Sequence, residues 1–364
     1  MNYERNYRID IIKGIAITLM VVGHTGVRFK SFIYLFHMAI FFMVSGYLYN
    51  YYYFDSPKSI INFIKKKILT LWLPFFLGNT VYSLLHNFFI FINVYTDDEL
   101  FLTYCKGTYY QVTQYWTIGD ILKNILKSAF FAGDTQLGGG FWFLKVLFVL
   151  SIMYAIIDFV LAKWCNNWGK MIQTIISIVL LAVGYCLSVK NVNFFSAQIV
   201  FSCYCLFHMG VMLKGVTEKY IYGLWEHLII LIGAFGVLCV LNNLGEISLG
   251  NNFYPNPLFL LIASLVGWIL LSEAAYFLEK CEMAKRMFVC LGRSTLPILI
   301  MHFLCFKIVS YIGVIYENKP FCLVAAFPVL YSDKLWWCAY TIVGLVIPIL
   351  CTMIIKFCLR KFVS

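Results

Sequence analysis

The sequence predicts an all-α, polytopic integral membrane bundle of about ten transmembrane helices with both termini cytoplasmic, and three observations carry that expectation. The 364 residues are 62% hydrophobic and only 12% charged, half of the roughly 25% charge that a water-solvated domain carries, and the mean hydropathy is +0.82. Apolar runs of about 20 residues, the length that crosses the hydrocarbon layer as a helix, recur along the whole chain. The 28 Lys+Arg against 17 Asp+Glu, a net charge of +11, crowd into alternate connections between those runs.

Ten segments meet the length requirement: about 11–29, 32–53, 69–94, 140–161, 171–189, 196–213, 228–241, 257–278, 295–316 and 336–358. The seventh is the shortest. No small-residue cleavage site follows the first run, and a second apolar segment begins near Phe32, so the first is read as a retained span rather than a signal peptide. An even number of spans puts both ends on one side. The N-terminus, the C-terminus and the connections facing them hold 18 of the 28 cations, including Lys65, Lys66 and Lys67 before the third span and Lys280, Lys285, Arg286 and Arg293 before the ninth. The opposite connections hold eight. The cation-rich side is cytoplasmic by the positive-inside rule, which makes the net charge a topology signal and excludes a nucleic-acid patch.

The 13 cysteines are odd in number and mostly lie in apolar runs, Cys203, Cys205 and Cys305 among them. They read as small hydrophobes rather than a disulfide framework. No cysteine and histidine spacing fits a structural zinc site, so no metal is expected. One outer connection, about 95–139, is long, with an acidic start (Asp97, Asp98, Glu99) and an aromatic interior (Tyr104, Tyr109, Tyr110, Tyr115, Trp116). Its later part, 118–131, sets Ile121, Leu122, Ile125 and Leu126 opposite Lys123 and Lys127, the pattern of a helix lying on the membrane interface. No internal repeat, linker or soluble appendage is legible, so residues 1–364 read as one membrane domain.

Ionisable groups inside a span are costly and mark function by default. His24 follows Lys13 by eleven residues, within roughly 20° of three whole turns and about 16 Å along a helix axis. The two share a face, with the lysine at the cytoplasmic mouth and the histidine deep. His37 enters the second span at comparable depth, and Ser45 follows two turns later. His302 lies about two turns into the ninth span. His86, His208 and His227 read as structural or interfacial, and Lys145 and Lys307 as charges that snorkel or pair.

These residues carry a resemblance. The stretch Arg8-Ile9-Asp10-Ile11-Ile12-Lys13-Gly14, ending in Val22-Gly23-His24, resembles the N-terminal signature of the acyltransferase 3 family, a basic residue, ten residues and a histidine. Phe36-His37-Met38 with Ser45-Gly46-Tyr47, Phe141-Trp142-Phe143-Leu144, and Leu291-Gly292-Arg293-Ser294-Thr295 followed by His302 resemble its second-, fourth- and ninth-span patterns. The basic position is Lys13 where arginine is commoner, which keeps a point charge for phosphate and loses the bidentate fork.

The resemblance implies transfer of an acyl group, usually acetyl, from cytoplasmic acyl-CoA to a hydroxyl of a cell-surface or lipid-linked glycan, in a bacterial cytoplasmic membrane. Acyl-CoA is then a co-substrate and no cofactor is permanently bound; membrane lipid, acyl-CoA and the saccharide are the partners. On that reading Lys13, with Arg8 and Arg293, receives the anionic donor. His24 is the general base or a transient acyl carrier, His37 or Ser45 orients it or stabilises the oxyanion, Trp142 stacks on a sugar ring, and His302 binds substrate. Asp10 pairs with Arg8 or Lys13. A lipid or protein acceptor is one rival reading. A transporter or flippase of a lipid-linked glycan is another, and it should show inverted repeats with broken helices in matched halves.

Overall fold

The computed structural model describes residues 6–49, 56–105, 112–133, 135–165, 168–214, 223–333 and 335–363, with side chains as far as Cys358. Arg5, Lys106, Tyr109, Tyr110, Lys219 and Lys334, and the side chains of Arg360 and Lys361, lie outside the described residues. The helices in chain order are α1 (Tyr7–Gly23), α2 (Lys30–Tyr34), α3 (His37–Tyr47), α4 (Pro57–Lys67), α5 (Leu73–Leu84), α6 (His86–Phe91), α7 (Leu100–Tyr104), α8 (Ile118–Ala129), α9 (Trp142–Trp164), α10 (Gly169–Val189), α11 (Ala197–Leu213), α12 (Leu224–Leu244), α13 (Pro257–Lys280), α14 (Glu282–Arg293), α15 (Thr295–Tyr316) and α16 (Trp336–Val363). Apart from an isolated bridge between Ser248 and Phe253, no strand pairing occurs among the described residues.

Among the described residues seven helical segments are long and apolar enough to cross a membrane: Lys30–Tyr47, α9, α10, α12, α13, α15 and Trp336–Cys358 of α16. The seventh expected span, read as the shortest at 228–241, is the full 21-residue α12. The other three expected spans differ for identifiable reasons. Helix α1 has 17 residues because the chain turns at His24-Thr25-Gly26, where Gly26 takes φ +77. Helix α11, also 17 residues, carries Ser202, Tyr204 and His208 on a nearly fully buried surface. The third span is interrupted. Pro74 has no N–H to offer the carbonyl one turn earlier, and the chain widens into a π turn at Ile68–Trp72 before α5 and then breaks again before α6. The Lys30–Tyr47 segment is itself two helices, α2 and α3, with a turn between them at 35–36.

Helix starts follow local chemistry. The Asn256 side chain accepts from the Phe259 N–H at 2.9 Å with Pro257 in the first turn of α13. At α8 the Thr117 hydroxyl accepts from the Asp120 N–H while the Asp120 carboxylate accepts from the Thr117 hydroxyl and N–H, a capping box. Those two donations, the hydroxyl first, hold the Asp120 carboxyl below its ordinary value.

The helices gather into two compact units. The first comprises Met1–Ala16, Ser31–Pro74 and Trp142–Gly292, with α11 packed against α3, α9 and α10. Helices α3 and α11 cross at glycines from both sides: a methyl at Gly46 would lie 1.9 Å from the Phe207 carbonyl oxygen, and one at Gly210 would lie 1.9 Å from that of Met43. Helices that gain nothing from leaving lipid associate by such backbone approach. Around α11 several buried polar groups pair. Tyr154 and Thr174 each meet one ring nitrogen of His208 at 2.9 Å, Gln173 Nε2 donates to the Tyr204 hydroxyl at 2.7 Å, and the Tyr49 hydroxyl donates to Asp158 at 2.8 Å. His227 Nδ1 meets Glu273 at 2.6 Å and its ring stacks on Tyr276, linking α12 to α13.

The second unit comprises Ile17–Lys30, Phe75–Phe141 and Arg293–Ser364. Helix α15 pairs with α16, and the Tyr82 hydroxyl of α5 donates to the Ile300 carbonyl of α15 at 2.6 Å. Helix α8 docks on α5 through Asn124 Nδ2 and Ser83 Oγ at 2.8 Å and leaves Ile118, Leu122, Leu126 and Phe130 as an exposed apolar stripe, as an interfacial helix does. Lys307, buried in α15, donates to the carbonyls of Val324, Ala325 and Ala326 at 3.1, 3.1 and 2.7 Å. All three ammonium protons are engaged by that segment.

The α3–α11 crossing is testable. Gly210→Ala is expected to lower thermal stability in detergent by the roughly 1–3 kcal/mol typical of overpacking, whereas Gly233→Ala, open to space within 4 Å, leaves it unchanged; indistinguishable melting of the two variants would overturn the close approach.

Candidate active site

His24 is the first residue beyond α1, its N–H donating to the Val21 carbonyl at 3.1 Å. The helical spacing read from the sequence therefore holds to within one residue of it. The turn is fixed next to it. The Thr25 hydroxyl, fully buried, donates to the Val22 carbonyl at 2.7 Å, and Gly26 lies so near Ser332 that a methyl there would come within 2.7 Å of its Cβ.

Within this unit the ring of His24 stacks on that of His302, with centroids 5.5 Å apart and planes at 28°. Phe303 touches both, 4.9 Å from His24 and 4.0 Å from His302. Phe306 and, through Phe303, Phe327 complete an aromatic enclosure. Sequence reading gave His302 a substrate-binding part and paired His24 with His37; the neighbour of His24 inside its own unit is His302.

The environment of His302 decides its tautomer. Nδ1 lies 2.9 Å from the Ile298 carbonyl and 3.0 Å from that of Leu299. Both are acceptors only, so Nδ1 carries the proton, an assignment made from the partners. Nε2 is then a lone pair. It has no hydrogen-bond partner among the described residues, and the residue is 0% exposed.

His37, 3% exposed, opens α3 with Nδ1 2.9 Å from the Ile33 carbonyl, so by the same argument its Nε2 is the acceptor. The Ser45 hydroxyl donates to the Phe41 carbonyl at 2.8 Å. Both belong to the first unit, with Arg8, Lys13 and Trp142. Lys13 Nζ lies 3.5 Å from Asp10, and Arg8 Nε 3.3 Å from Glu279 with its guanidinium over Tyr276. The pairing expected for Asp10 is thus with Lys13. Helix α14 presses on this part of α1: a methyl at Gly14 would meet the Phe288 carbonyl and one at Gly292 the Asp10 carbonyl. Arg293 ends α14 and falls in the second unit. Trp142 lies over Gly250, where a methyl would come within 3.3 Å of the indole Nε1.

What the sequence reading passed over is the turn Gly138-Gly139-Gly140, which runs beside His302 and Phe303. Methyls at Gly139 and Gly140 would lie 3.4 Å from Phe303 and 3.6 Å from His302 Cε1. Three consecutive glycines before an aromatic helix start are a sequence signal for close backbone approach.

The geometry therefore offers a buried neutral imidazole with its lone pair available, a second imidazole stacked on it, and aromatic walls that hold water off. Such a set suits proton transfer to and from a neutral nucleophile. No curated protein and no solved structure matches the chain. A family model described as an acyltransferase domain, that of acyltransferase 3, matches residues 6–353, and the chain belongs to that family as a multi-pass membrane acyltransferase.

Proposed function

We propose that the enzyme moves an acyl group, acetyl in the first instance, from cytoplasmic acyl-CoA to a hydroxyl of a cell-surface or lipid-linked glycan in a bacterial cytoplasmic membrane. The observation that carries this reading is the His24–His302 stack, with His302 Nε2 left as an acceptor. The chain crosses the membrane ten times in this reading, with both termini cytoplasmic. The cation distribution supports that arrangement.

Lys13 and Arg8, both of the first unit, receive the phosphates of the donor at the cytoplasmic face. Lys13 acts as a point charge there, with Asp10 holding it in place. His24, half-buried at the end of α1, takes the proton of the acceptor hydroxyl as that oxygen attacks the thioester carbonyl. His302 Nε2 accepts a hydrogen bond from the substrate and orients it. Collapse of the tetrahedral intermediate breaks the C–S bond, and the departing thiolate takes the proton back from His24. Ser45 and His37 position groups along α3, and Trp142 offers an indole face for a sugar ring.

His24→Ala is expected to lower acyl transfer by about 10²–10⁴-fold, the range of a lost general base, with protein abundance unchanged. Mass spectrometry of the surface polysaccharide from cells carrying each form reads the outcome, and wild-type acylation by His24→Ala would exclude the mechanism. Acyl groups found on lipid or protein alone would move the acceptor to that class.

Lys13→Ala is expected to raise the KM for acyl-CoA with kcat little changed, and Lys13→Arg to restore it. An unchanged KM in membranes assayed over a range of acyl-CoA would remove the lysine from the donor site.

A further inference from the structure

We infer that the backbone N–H of Gly140 is the oxyanion donor of this enzyme, an inference that rests on the thioester reading of the same site. The residues of the turn use their amides unequally. Gly138, Gly139 and Phe141 donate to the carbonyls of Thr135, Gln136 and Gly138 at 2.8, 3.3 and 2.8 Å. Among the described residues the Gly140 amide donates to none. Gly140 is buried, and a buried amide without a partner is rare because it forfeits its hydration for nothing.

A second unsatisfied atom lies beside it. A methyl at Gly140 would sit 3.6 Å from His302 Cε1, the ring carbon bonded to Nε2, and Nε2 is the buried acceptor without a partner. One orphan donor and one orphan acceptor therefore belong to two residues in contact. Their complement is a group with a carbonyl oxygen to accept and a hydroxyl proton to give, which is an ester-forming pair.

The turn is held rigidly, as an electrostatic stabiliser must be. Thr135 Oγ1 donates to Asn79 Oδ1 at 3.2 Å, and Asn79 Nδ2 donates to the Phe75 carbonyl at 3.1 Å. Phe141 packs on Tyr82 and Phe75 and closes over Gly78. A side chain at Gly140 would also press on Leu299, 3.2 Å from a methyl there.

In the step itself the acceptor hydroxyl oxygen forms a bond to the thioester carbon as its proton passes to a histidine of the pair. The carbonyl π electrons move onto oxygen, where the Gly140 N–H holds the charge. They return as the C–S bond breaks, and the sulfur leaves as thiolate and takes the proton.

Infrared difference spectroscopy tests this on the full-length enzyme in detergent, using acetyl-CoA labelled with carbon-13 at the thioester carbonyl and the slow variant His24→Ala to prevent turnover. The expected result is bound donor whose labelled carbonyl stretch moves to lower frequency, with the shift lost in Gly140→Pro and kept in Gly140→Ala. In parallel, kcat should fall about 10²–10³-fold in Gly140→Pro and less than tenfold in Gly140→Ala, on the wild-type background. Donor that binds with an unshifted carbonyl would overturn the oxyanion assignment and leave the acyltransferase reading standing. Failure of the enzyme to bind acetyl-CoA at all would overturn the donor reading and the assignment with it. The carbonyl shift needs no folded Gly140→Pro, so a variant that fails to accumulate does not remove the test.

Discussion

A polar atom surrounded by hydrocarbon has no water to turn to, and that constraint organises this molecule more than any single contact. Its clearest instance is Lys307, a cation buried in α15 whose three protons all meet backbone carbonyls of the 324–326 segment. The arrangement satisfies an ammonium and fixes an irregular stretch at the same time. Phe327 follows directly and packs on Phe303, which touches both histidines of the site. The same rule locks His302, whose Nδ1 proton is held by the carbonyls one turn behind it. His302 Nε2 and the Gly140 amide, each without a partner among the described residues, belong to residues in contact, which makes them informative.

The bundle associates without the hydrophobic effect, since a leucine gains little by moving from lipid to protein. Close backbone approach replaces it. The glycines at α3–α11 and α1–α14 come in reciprocal pairs, each facing the other helix's carbonyl, so dispersion contacts run along the backbones themselves. The second of these crossings lies at Lys13 and Asp10, so packing that holds the fold also holds the proposed donor mouth. The polar network around α11 gives the first unit its specificity in a similar way, with His208 between Tyr154 and Thr174.

Particular residues show how far the sequence could be read. The alternation of cation-rich connections and apolar runs announced a membrane bundle, and seven of the ten segments appear as helices long enough to cross. The amphipathic stretch after Thr117 is helix α8; of the apolar face read there, Leu122 and Leu126 are exposed and Ile121 and Ile125 half-buried. The third span is not continuous as hydropathy implies, because hydropathy averages over Pro74 while hydrogen-bond geometry does not. Lys13 to His24 was legible because both lie on or next to one helix. His24 to His302 was not, because no local periodicity links α1 to α15.

The helical class, the lipid solvent and the family were therefore legible in the chain before it folds, because each depends on local periodicity, composition and ordered short motifs. Only folding settles which imidazole His24 meets, which nitrogen of His302 is free and which glycine amide has no partner. Those are outcomes of hydrogen-bond satisfaction between distant segments, and only the folded chain brings donors and acceptors close enough to pair them or leave them open.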